Sequence, residues 1–109
     1  MFKQIRNLTV GRGNFISGER LAVDDASVQA LTVPSGAAYA LISIEADASA
    51  VDSTKAVRWL ETPDNLSGIY GHVFGDGAYH EIFGGDMNSY RFIGAEAGKT
   101  ATIQVSYYG

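Results

Sequence analysis

The sequence predicts an all-β chain, a single β-sandwich or jelly-roll domain carrying an N-terminal arm. Two segments alternate apolar and polar residues with period two. Several further short apolar runs recur at about ten-residue spacing, separated by glycine-rich turns, as in sandwiches and barrels. No stretch holds a 3.6-residue apolar period long enough for a secure helix. Val51–Leu60 is the nearest to one.

Residues 1–20 read as the arm and 21–109 as the sandwich. The arm carries Lys3, Arg6, Arg12 and Arg20 against Glu19 alone, on a chain whose net charge is −4. A basic arm on an acidic body suggests an acidic partner for the arm. Phe2, Ile5, Leu8, Val10, Phe15 and Ile16 are too many apolar groups for a purely solvating tail. They suit docking on a neighbour, with Lys3, Arg6 and Arg12 as the partner-binding residues, or addition of a strand to a sheet edge.

Within the body, Val28–Val33 reads as a strand with a phase slip near Ala30-Leu31. Pro34-Ser35-Gly36 supplies turn chemistry. In Ala38–Ala46, Ala38, Ala40, Ile42, Ile44 and Ala46 share one face, and Tyr39, Leu41, Ser43 and Glu45 the other. Residues 28–46 are therefore expected to form a hairpin. Lys55–Glu61 follows, with Val57 and Trp59 on one face, and Thr62-Pro63-Asp64-Asn65 ends it. Ile69–Phe74, Ala78–Phe83 and Ser89–Ile93 are three more short strands. In Lys99–Tyr108, Ala101, Ile103, Val105 and Tyr107 alternate with Thr100, Thr102, Gln104, Ser106 and Tyr108, the strongest strand signal in the chain.

Composition narrows the function. The chain has no cysteine, which excludes disulfides, thiolate metal sites and a cysteine nucleophile. No segment approaches the roughly 18 apolar residues of a membrane helix, and Met1–Asn7 lacks the apolar run of a secretory signal. The acidic body would repel a phosphate backbone, so nucleic acid is not an expected partner. His72 and His80, with Glu81, are too few and too scattered to suggest a metal site. No Gly-x-Ser-x-Gly elbow occurs. Asp76, Glu81 and Asp86 lie in or beside glycine-rich turns, where carboxylates are ordinarily solvated turn formers rather than a glycosidase pair or calcium ligands. The expectation is a protein that is not an enzyme and uses no cofactor and no metal.

Core packing is the default for most of the five Phe, six Tyr and one Trp. Tyr39 and Tyr108 fall on the outward side of their strands and are the candidate surface aromatics, able to stack on a sugar or anchor an interface.

Leu31–Ala40, Ala56-Val57-Arg58-Trp59, the Thr-Pro loop, the glycine-rich segment around Glu81-Ile82-Phe83, Ser89–Ile93 and Ile103–Gly109 together resemble small β-sandwich or jelly-roll structural proteins of tailed bacteriophages. The resemblance spans residues 28–109. It implies a virion component assembled in the host cytoplasm: a capsid decoration (cement) protein bound to the shell as a symmetric homo-oligomer, with a trimer favoured because particle sites have cyclic symmetry. The alternative is a tail-associated receptor-binding or carbohydrate-binding β-sandwich module. No binding residue is carried over from the resemblance.

Overall fold

The computed structural model describes residues 13–61, 66–69 and 71–109. Strand accounts for 47% of them, with no α-helix among the described residues. In chain order the strands are β1 (Phe15–Val23), β2 (Gln29–Ala30), β3 (Tyr39–Glu45), β4 (Val57–Leu60), β5 (His72–Phe74), β6 (Tyr79–Phe83), β7 (Arg91–Gly94) and β8 (Ala101–Tyr108), with a 3-10 turn at Gly84–Asn88. They form two antiparallel four-stranded sheets of order β1-β8-β3-β6 and β2-β7-β4-β5.

Alternation decides what lies between the sheets. Ala40, Ile42 and Ile44 of β3, Ile82 of β6, and Ala101, Ile103, Val105 and Tyr107 of β8 are buried with Val57 and Phe92 from the second sheet, in one hydrophobic cluster. Glu19 interrupts the inward row of β1. Its carboxylate accepts the Tyr107 hydroxyl hydrogen bond and the Thr32 backbone N–H at 2.8 Å. Burial first, then the Glu19 hydrogen bond and charge, push the Tyr107 hydroxyl far above its ordinary pKa, so Tyr107 stays a donor. Gly94 shows why small residues sit where β7 meets the β1–β2 connection. A Cβ there would lie 2.7 Å from the Asp24 carbonyl carbon, and the Gly94 N–H bonds the Asp24 oxygen at 2.7 Å.

Two expectations need correction. Residues 28–46 are not a hairpin: β2 pairs with β7, while β3 pairs with β8 and β6 in the other sheet. The turn itself is present, with Ala37 N–H bonded to the Pro34 oxygen at 3.2 Å and Gly36 at φ 84°. Turn chemistry bends the chain but does not choose the strand's partner. The boundary drawn at Arg20 is also crossed, since β1 runs from Phe15 to Val23 in continuous pairing with β8 apart from one irregularity at Phe15/Ser17. Lys3, Arg6 and Arg12 lie outside the described residues.

Candidate functional site

The register of the first sheet aligns one outward residue from each strand. Phe15 pairs with Tyr108, Tyr108 with Tyr39, and Tyr39 with Phe83. The irregularity between Phe15 and Ser17 breaks the alternation of β1 and turns Phe15 outward, beside Tyr108. The four rings form an unbroken row across the sheet. Centroid separations are 5.9 Å for Phe15–Tyr108, 5.4 Å for Tyr39–Tyr108 and 4.9 Å for Tyr39–Phe83, with interplanar angles of 73°, 52° and 45°. Such tilted pairs are favourable aromatic geometries.

The two ends of the row, Phe15 and Phe83, are each 60% exposed. Tyr39, expected at the surface, is only 4% exposed. It does point outward, but its lateral neighbours Tyr108 and Phe83 close over it, and its hydroxyl donates to Glu81. Tyr108 is half-buried by the same mechanism. Beyond the row, the same face carries Leu41, Arg20 bonded to Gln104, and Tyr79 at 75% exposure.

A second aromatic group lies between the sheets at one end. Trp59 packs on Tyr90 at 4.8 Å and 9°, on Phe74 at 5.6 Å, and beside His72 and His80 at 4.7 and 5.4 Å. His80 Nε2 lies 3.2 Å from the Tyr90 hydroxyl. Burial pulls the His80 pKa below its ordinary value, against the smaller opposing pull of Glu81 and Glu61. Trp59 is thus hemmed by four rings and is not a stacking platform. The outer side of this sheet is covered in part: Arg58 donates from Nε to the Gly68 oxygen at 3.0 Å and from Nη1 to the Gly71 oxygen at 2.8 Å, while Val73 beside it stays exposed. Among the described residues, the nearby open depression of about 410 Å³ is lined by Leu60, Ile69, Gly71 and His72.

The acidic loops serve as turn braces. Asp47 accepts the Thr100 and Ser49 N–H groups and the Ser49 hydroxyl, which hold its pKa down at about 2. Asp52 is lowered by the Thr54 hydroxyl and N–H. Asp24 caps Ala26, Asp76 accepts Ala46 N–H, and Glu96 accepts Val51 and Asp52. Among the described residues no group of three or more His, Asp or Glu side chains is placed to hold a metal ion.

Compared with known families, curated proteins and solved structures, the chain matches none.

Proposed function

We propose that this protein is a non-enzymatic structural component of a phage particle, a capsid decoration protein that docks through the outer face of β1-β8-β3-β6 and acts as a symmetric oligomer. The observation that carries the reading is the row Phe15–Tyr108–Tyr39–Phe83, an aligned run of four rings whose two end phenylalanines are exposed and offer apolar contact area on this face. Aromatic anchors of this kind dominate protein interfaces. The strand order, 1-8-3-6 facing 2-7-4-5, supports a double-sheet jelly roll, an architecture found in viral capsid and lectin domains.

The alternative, a tail-borne glycan-binding module, fits the row less well. A sugar platform wants rings in one plane, whereas these are tilted by 45° to 73°. Its exposed ends are Phe, which has no hydroxyl to donate to a sugar.

The test is cosedimentation with shells of the phage whose genome carries the coding sequence, prepared without this protein, together with light scattering of the free protein. Saturable binding and a closed oligomer, a trimer on this reading, are expected. A monomer that leaves shells bare contradicts it.

A further inference from the structure

The two sheets end differently at their edges. The second is bounded by β2 and β5, of two and three residues, and edges that short present few backbone groups for pairing. The first is bounded by β1 and β6, of nine and five residues, and among the described residues no strand lies beyond either. Neither β1 nor β6 carries a proline or a lysine, residues that guard open edges.

The ladder fixes which residues face those edges. The Ile44 N–H bonds the Ala78 oxygen and the Gly84 N–H bonds the Ala38 oxygen, each at 3.0 Å, so the even-numbered residues of β6 direct their backbone groups toward β3. Tyr79, Glu81 and Phe83 direct theirs the other way. Carried through β3 and β8, the same alternation turns the N–H and C=O of Gly18, Arg20 and Ala22 toward the outer edge of β1. All six of these residues are exposed on the outer face of the sheet.

Three antiparallel pairings separate β1 from β6, so the two edges run in opposite directions. A second copy in the same orientation thus brings its β6 antiparallel to β1 without being turned over. Opposing Arg20 to Glu81 of that copy sets Gly18 against its Phe83 and Ala22 against its Tyr79. Opposite charges then face each other, and each exposed ring lies across a small residue. Gly18 is small for its own fold as well, since a Cβ would lie 2.9 Å from the Val105 oxygen. Glu81 keeps its bond from the Tyr39 hydroxyl, because a carboxylate accepts more than one donor. Two-fold pairings centred on the same residues would oppose Arg20 to Arg20 or Glu81 to Glu81, which is unfavourable.

We propose that the open edges of β1 and β6 are the contact between copies of this chain: β1 of one pairs with β6 of the next, with Arg20 opposite Glu81, so that the first sheet runs on from copy to copy. Such a head-to-tail contact builds a ring where the rotation closes. The inference rests on the docking reading for the association of copies, and it uses the strand edges rather than the contact with a shell.

The chain has no cysteine, so one introduced thiol reports one contact. Ala22→Cys and Tyr79→Cys are made in separate full-length chains, and circular dichroism confirms that each keeps the parent fold. A two-carbon bis-methanethiosulfonate linker spans a hydrogen-bonded pair, whose Cα atoms lie about 5.5 Å apart. It should join the two variants in an equimolar mixture and should join neither to itself. Phe83→Cys in place of Tyr79→Cys moves the thiol about 13 Å along the strand, and should not link to Ala22→Cys. Adding Arg20→Glu to the Ala22→Cys chain should slow the link at least about fivefold. An unlinked mixture, self-linking as fast as in the mixture, equal linking to Phe83→Cys, or a rate indifferent to Arg20→Glu each overturns the proposal. No shell enters the measurement, so a protein that binds shells yet fails to link removes this contact and leaves the docking face standing.

Discussion

The two outer faces of the sandwich are built from the same kind of strand yet finish differently. On the β2-β7-β4-β5 side, Arg58 points outward and its guanidinium ties the Gly68 and Gly71 carbonyls down onto the sheet. Ile93, on the same side, is consequently 7% exposed. On the β1-β8-β3-β6 side the outward row is aromatic, and its two ends stand in the open. On one face a loop is tied down by charge-assisted hydrogen bonds while single apolar residues, Val73 and Ile69, stay exposed; on the other an aligned aromatic row ends in two exposed phenylalanines. Stability should therefore concentrate on the first side and recognition on the second.

The largest effect expected is between the sheets, beneath the Arg58 face. Trp59→Ala should cost about 3–5 kcal/mol, because it removes the ring on which Tyr90 and Phe74 stack. Chemical denaturation reads it. A loss under about 1 kcal/mol, in the range of surface substitutions, would mean that Trp59 is peripheral. Arg58→Ala should come next, at roughly 2–3 kcal/mol, since it strips charged donors from two carbonyls, and it should raise hydrogen exchange in residues 66–71. By contrast Phe83→Ala should cost no more than about 1 kcal/mol while weakening docking. The comparison fails if Phe83→Ala destabilises more than Arg58→Ala.

Two smaller effects depend on pH. His80 is held neutral by burial, so its folded pKa lies below the ordinary 6.5. The unfolded chain then takes up the proton first. The His80 contribution is complete above about 6.5 and is lost as pH falls through the lower, folded value. His80→Gln should flatten the melting temperature between pH 7 and 5 (about the range over which a histidine titrates). Asp47 has the same sign at lower pH. Its folded pKa of about 2 lies under the ordinary 3.8, so its contribution is complete above 3.8 and disappears as pH falls toward 2. Asp47→Asn should remove that part of the acid sensitivity, read from melting curves across the same interval.

Much of this contrast was legible in the sequence at the level of single strands. The alternation in residues 38–46 and 99–108 placed Ile42, Val105 and Tyr107 inward, and Tyr39 and Tyr108 outward, as they are. Alternation fixes a face but not a neighbour. The pairing of β3 with β8 and β6 could not be read, so Phe83 was not connected to Tyr39, and Tyr39 was expected to be exposed rather than covered from both sides. Phe15 escaped for another reason. Glu19 breaks the apolar pattern of β1 because it is there to receive the Tyr107 hydroxyl, and the irregularity at Phe15/Ser17 breaks its phase. Charge and glycine then made residues 15–20 look like part of the arm. The alternation of Tyr79, Glu81 and Phe83 against His80 and Ile82 was the signal that would have put Phe83 on the outward face.

The most direct test of the central claim compares matched substitutions on the two faces. Phe83→Ser removes an apolar group 60% exposed on the aromatic face, and Val73→Ser one 39% exposed on the outer face of the other sheet. Binding to bare shells is measured by cosedimentation for each, beside the parent protein. Phe83→Ser should weaken binding by at least about tenfold, the scale of an interface anchor, and Val73→Ser should leave it unchanged. Equal losses, or a larger loss for Val73→Ser, would contradict the assignment of docking to the aromatic face.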